Sequence, residues 1–175
     1  MSKIYFSQRV LLLFLWGLCY LFKLISFGFL LSQTDKIKEI DLELNTFVEE
    51  WKETPERIRE VFLQFKEYLG GKEGVSFEFI ARPGVTYSLR AAHAAQKKRG
   101  LFAMIDVIED TPRWLSVCFY GEMTPDPEEK GDFVPEGLLG EDAVCFDVED
   151  HDEELLGTLK LALMKPVSGL RRNRL

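Results

Sequence analysis

The chain has 175 residues, 46% of them hydrophobic and 29% charged, with a formal net charge of −7. It is long enough for one globular domain with an appendage but not for two full domains, too apolar for intrinsic disorder, and too poor in glycine and proline for a fibrous protein. The charge is unevenly placed: residues 1–33 carry Lys3, Arg9 and Lys23 and no acid, whereas the other 142 residues hold all 29 acids against 19 bases, a net of −10.

From Val10 to Leu31 the chain reads VLLLFLWGLCYLFKLISFGFLL, 22 residues with Lys23 as the one charge. As a helix this run would extend about 33 Å, enough for a hydrocarbon core of about 30 Å. Three readings are open: an uncleaved anchor in a single-pass membrane protein, a secretory signal peptide, or a start codon placed too far upstream, which would leave a cytoplasmic body. The signal peptide fits worst, because the run is too long and its small-x-small candidate, Ser26-Phe27-Gly28, lies inside it. The anchor fits the length and apolarity. Lys23 costs it about 2.5–3.5 kcal/mol near the helix centre, a cost that the Leu and Phe neighbours offset and that snorkelling relieves. Lys3 and Arg9 before the span nearly balance Lys36 and Lys38 after it, so the orientation stays open.

Residues 34–53 carry Ile37, Ile40, Leu44, Phe47, Val48 and Trp51 at helical spacing. They read as an amphipathic connector helix or as the first helix of the following domain. An α+β soluble domain is expected over 54–166. Thr54 as N-cap and Pro55 at the first helical position open a helix. It buries Ile58, Val61, Phe62, Phe65 and Leu69 and ends at Gly70-Gly71, residues free to take positive φ. Residues 75–79 alternate as a half-buried strand. Pro83-Gly84 fits the centre of a type II turn, and Val85–Ala92 alternate again. Leu101–Ile108 reads as a central strand interrupted by Asp106, and Trp114–Tyr120 as a fourth strand. Gly121–Asp142 reads as a long acidic loop with three prolines and four glycines, and Ala143–Val148 as a short fifth strand. Asp150 and Glu153 form a capping pattern before a last helix that buries Leu155, Leu156, Leu159 and Leu163 and stops at Pro166. Residues 167–175 are a basic tail. The fold class is therefore α+β: an N-terminal hydrophobic helix, a helix, an antiparallel meander sheet of four to five strands, and a C-terminal helix, with helices on one sheet face.

Two charge runs stand out. Residues 79–105 hold Arg82, Arg90, Lys97, Lys98 and Arg99 and no acid, and residues 122–154 hold fourteen acids against Lys130. A basic run with Tyr87 and Phe102 could bind nucleic acid, but a body of net −10 repels a phosphate backbone, so nucleic acid is not expected. The acids lack any EF-hand or other ligand rhythm, and no metal or other cofactor is expected. The acidic run could instead fold over the basic one. His93 and His151 have no nucleophile at a telling spacing. Asp106, set in an apolar strand, must be exposed or paired, and Arg90 is the expected partner. Cys118 and Cys145 fall in strands; they could form a disulfide outside the cytoplasm, and the reduced state is slightly favoured. No phosphate-loop, dinucleotide, nucleophile-elbow or zinc-protease motif occurs.

The runs Phe77–Ala91, Trp114–Gly121 and Gly137–Asp142 resemble segments of small bacterial proteins with no assigned function. The resemblance spans about residues 45–165, implies a soluble body, and carries over no catalytic residue. The expected role is a non-catalytic module binding a protein or small-molecule partner and held at a membrane by residues 10–31. Its site is expected where the sheet meets Gly121–Asp142, with Arg82, Tyr87, Arg90, Asp106 and Tyr120 as ligand-binding residues. The alternative is a small enzyme, metal-assisted, using the acidic 122–154 segment or His93.

Overall fold

The computed structural model describes residues 38–96, 99–121 and 130–171, with side chains described to Leu163. The apolar run 10–31, Lys97, Lys98 and the end of the basic tail lie outside the described residues; among those described, no helix is long and apolar enough to cross a membrane. The chain divides into two compact units, Met1–Asn45 and Thr46–Leu175. The second unit holds the α+β body.

A helix runs through residues 38–50 (α1), and its last turn places Phe47, Val48 and then Trp51 in the core of the body. Thr54 does not cap the next helix. The Arg57 N–H bonds the Thr54 carbonyl, closing a turn, and α2 spans Ile58–Gly70 behind a left-handed Arg57 (φ 59°). Arg57 also grips Glu60 with two nitrogens, tying the first turn where an acid favours the helix dipole. The expected buried face is observed: Ile58, Val61, Phe62, Phe65 and Leu69 are all sealed from solvent. Gly71 keeps an ordinary right-handed φ of −73°; the left-handed residue is Gly74, in the turn after it.

Six antiparallel strands follow: β1 Val75–Arg82, β2 Thr86–His93, β3 Ala103–Ile108, β4 Trp114–Tyr120, β5 Asp132–Leu138 and β6 Glu141–Val148. Their order is β1-β2-β3-β4-β6-β5. The first four strands are the expected meander, and the turn between β1 and β2 uses Gly84 at φ 78°, as the Pro-Gly pair implies. The sixth strand is a correction. β5 and the start of β6 occupy what reads as loop; β6, the strand expected over 143–148, pairs with β4, and β5 is added on its outer side. Leu138 pairs with Glu141, so Leu139-Gly140 is a two-residue hairpin loop with both residues at positive φ, the geometry whose twist matches paired strands. The last helix, α3, spans Glu153–Arg171. Asp152, not Asp150, caps it: its carboxylate accepts from the N–H groups of Glu154 and Leu155. The helix passes through Pro166, since proline removes one helical hydrogen bond but its own φ is helical.

Register sorts every strand residue to one of two faces. Phe79, Leu89, Ile105, Val117 and Phe146 lie in one row across five strands and are buried. This face is covered by helices. The Phe47 ring lies 5.5 Å from Phe79 and stacks on Tyr87 at 4.1 Å, and Phe47 and Trp51 meet Phe62 of α2 at 6.2 and 5.6 Å. α2 contacts β1, β4 and α3, and Gln64 of α2 accepts a hydrogen bond from Lys160 and contacts His151. No described helix packs on the other face. Phe62 meets Phe47 and Trp51 and is fully enclosed. Phe62→Ala is expected to cost about 3–5 kcal/mol, seen as a lower urea midpoint with an unchanged slope.

Candidate functional site

The uncovered face is built by the same alternation, one residue out of phase with the core. Its central row is Ile80, Ser88, Asp106, Ser116 and Asp147, on five consecutive strands of the sheet. On one side lies the row Glu78, Arg90, Met104, Cys118 and Cys145; on the other lie Arg82, Thr86, Ile108 and Trp114. Polar groups thus alternate with half-buried apolar ones on a surface that no described helix covers.

The polar groups are partnered unequally. The Ser88 hydroxyl, wholly buried, donates a short hydrogen bond to Asp106 Oδ1. Ser88 rather than Arg90 is therefore the partner of Asp106, because Ser88 stands directly opposite it in the register whereas Arg90 stands opposite Met104. Burial pushes the Asp106 carboxyl above the usual carboxylate range; the Ser88 hydrogen bond and the Arg82 and Arg90 charges oppose that push without cancelling it. Asp147 is also raised, first by burial, with a hydrogen bond from Ser116 opposing and Asp132 adding to the rise. Arg90 makes one long ion pair, Nη1 to Glu78 Oε2 at 3.5 Å. Its Nε and the Thr86 hydroxyl are buried and have no hydrogen-bond partner. Two such orphans flanking one carboxyl are rare in a folded chain, where buried polar groups are normally satisfied.

Of the five expected site residues, Arg82, Arg90 and Asp106 share this surface. Tyr87 does not. Its ring is on the helix-covered face, stacked on Phe47, and Arg113 lies over Phe47, Trp51 and Tyr87 while pairing with Glu109. Tyr120 shares the face by alternation but is buried at its far end, with the Arg99 guanidinium 3.9 Å from its ring centre. Arg99 also grips Glu141 through Nε at 2.9 and 3.2 Å, holding the Glu141 carboxyl below the usual range. Basic and acidic runs therefore do meet within one chain, at this clasp. Beside it opens a cleft of about 510 Å³ lined by Arg99, Gly121, Phe133, Glu136, Glu141 and Asp142. Its cation is already engaged by Glu141 and Tyr120, and the rest of its charge is carboxylate. This cleft is thus a poorer ligand site than the open face, where Arg90 keeps an unspent donor.

Two further expectations concern local geometry. Cys118 and Cys145 stand opposite each other on β4 and β6 with Cα atoms 4.1 Å apart and are joined by a disulfide, so the favoured reduced state is corrected. His93 accepts the Ala95 N–H at Nδ1 and therefore carries its proton on Nε2, which lies 3.2 Å from the Glu73 carbonyl. Both ring nitrogens thus contact backbone. No cluster of three or more metal-ligating side chains occurs among the described residues. Sequence reasoning missed Ser116, Asp147 and Thr86 as members of the open face; strand alternation combined with the register would have placed them. No known protein family, characterised protein or solved structure matches the chain.

The raised Asp106 carboxyl has a definite sign. A carboxyl whose pKa rises on folding favours the fold when protonated and weakens it as pH climbs above its ordinary 3.8. Asp106→Asn keeps an acceptor for Ser88 and removes the buried charge. The variant is expected to be more stable than the parent at pH 7, with the gain shrinking toward pH 4 in urea titrations.

Proposed function

We propose that this chain is a non-catalytic binding module, tethered to a membrane by residues 10–31, whose open sheet face receives a ligand bearing a carboxylate or similarly compact anion. The observation that carries this reading is the unsatisfied donor set: buried, unpartnered Arg90 Nε and Thr86 Oγ1 beside exposed Arg82. An anion placed between the two arginines completes those hydrogen bonds, and the guanidinium fork suits a planar carboxylate. Trp114, Ile108 and Met104 supply apolar contact around it, as ligand surfaces need. The acidic body argues for a small anion or a single acidic group and against a polyanion.

The test is a thermal-shift screen of the full chain against small mono- and dicarboxylates and inorganic phosphate, followed by titration calorimetry of the hits. Arg90→Gln is expected to weaken binding about 10- to 100-fold, the loss of one charge-assisted hydrogen bond, with the fold kept. Undiminished affinity in Arg90→Gln, or a screen without a single stabilising anion, would sink the reading. The tether is tested separately: the full chain should sediment with membranes, and deletion of residues 10–31 should move it to the supernatant.

A further inference from the structure

The two edges of the sheet are built differently. β5 has Pro135 in mid-strand, a left-handed Glu136 (φ 55°), and a break in register between Val134 and Leu138. Such features keep an edge from pairing with another chain. β1 has none of them. It runs eight residues, Val75–Arg82, in unbroken register with β2, without proline, lysine or bulge.

The direction of its free hydrogen-bonding groups follows from its neighbours. The Gly74 carbonyl accepts from Ala94 N–H at 2.8 Å, which continues the β1–β2 register by one step. Even-numbered residues of β1 therefore bond β2. The N–H and C=O groups of Phe77, Phe79 and Ala81 point out of the sheet, and no backbone partner meets them among the described residues.

We propose that this edge pairs with β1 of a second copy of the chain, antiparallel about a two-fold axis at Ile80. The charges select that register. Glu78 and Arg82 lie on the open face, two residues to either side of Ile80. With the axis at Ile80, Glu78 faces the partner's Arg82, Arg82 faces the partner's Glu78, and the two Ile80 side chains meet between them. Phe79 and the partner's Ala81 exchange both backbone bonds, and so do Ala81 and the partner's Phe79. The Glu–Arg and Ile–Ile pairs are then non-hydrogen-bonded pairs, in which side chains stand closest. An axis at Glu78 would oppose glutamate to glutamate, and one at Arg82 arginine to arginine. An axis at Phe79 would set Glu78 against Ile80 and Arg82 against Ser76. Arg82 makes no ion pair among the described residues, and Glu78 has only the long contact to Arg90, so both charges are open to a partner.

The experiment uses the full chain, purified in mild detergent with Cys19→Ser to remove the unpaired thiol. Light scattering at micromolar protein is expected to give a dimer. Ile80→Cys should cross-link rapidly on mild oxidation, because Cα atoms of such a pair stand about 4.5 Å apart, within disulfide reach. Ser76→Cys, which in this register faces the partner's Gly84, should not. Glu78→Arg should raise the dimer dissociation constant about tenfold or more, and Glu78→Arg with Arg82→Glu should bring it back. A monomer at these concentrations overturns the proposal. So does a dimer in which Ile80→Cys cross-links no faster than Ser76→Cys, which would be joined elsewhere, or a double variant as dissociated as Glu78→Arg. The cross-linking comparison stands even if a charge reversal impairs folding.

Discussion

The two-residue period of the strands, held in register from β1 through β4 to β6, is the constraint on which everything else rests. Odd-numbered residues of β1 to β4 supply the row that α1 and α2 cover; the even-numbered residues between them supply the open face. Core and candidate site are one pattern seen from opposite sides. A slip of one residue in any inner strand would bring Asp106 or Ser88 under the helices and turn Ile105 or Leu89 to water. Burial of Phe79, Leu89, Ile105, Val117 and Phe146 therefore fixes the spacing of the polar groups behind them. The Ser88–Asp106 hydrogen bond comes from that register, with no loop needed to place it.

Charge acts on this frame in two ways. Near the surface, acids and bases meet in pairs: Arg99 with Glu141 and Lys130 with Glu154 join distant segments, and Arg113 with Glu109, four residues apart, is half-buried. Such pairs add little by charge alone in water. Arg99 and Arg113 contribute mainly as covers, their planar heads laid over Tyr120 and over the Phe47–Tyr87 stack. On the open face the balance is reversed. Asp106 is largely removed from water and Arg90 is mostly covered, so desolvation is incurred there, while Arg90 Nε and Thr86 Oγ1 gain no hydrogen bond in return. Buried side-chain atoms without a partner also occur singly at Glu56, Tyr68 and Gln96, but the open face brings two of them, Thr86 and Arg90, onto one strand beside a buried carboxyl.

The legible parts were those set by periodicity or by a strong local signal. The buried stripe of α2, both bounds of β4 and the Pro83-Gly84 turn could all be read directly. What was lost depended on partners distant in sequence. β5 was hidden because Pro135, Gly131 and Gly137 look like loop, and because its hairpin uses Leu-Gly, where Leu139 is held left-handed by the paired strands. The caps moved by two or three residues because Thr54 and Asp150 have the right chemistry, but the chain turns at Arg57 and Asp152. Tyr87 was misplaced for a subtler reason: a polar ring on a half-buried strand suits either face, and only its odd position in the register assigns it to the helices. Arg82, Arg90 and Asp106 stand out in the sequence because an isolated charge in an apolar alternating run is visible without any fold.

The open face and the β1 edge share Arg82, and that links the two proposals. In an edge-to-edge pair about a perpendicular two-fold, opposed residues lie on the same face, so both open faces would look in the same direction and meet along the seam. Glu78 would then stand between Arg90 of its own chain and the partner's Arg82, drawing both guanidinium groups toward the carboxylate it supplies. An anion that binds between Arg82 and Arg90 competes with that same carboxylate. Such a ligand and such a partner would be set against each other at one charged group, each lowering the other's affinity by the same factor. A ligand whose apolar part also rests on Trp114 and Ile108, away from the seam, would escape part of that competition. The Arg82 row extends from the seam to Trp114 on β4, three strands away, and so offers such a ligand room on its own protomer.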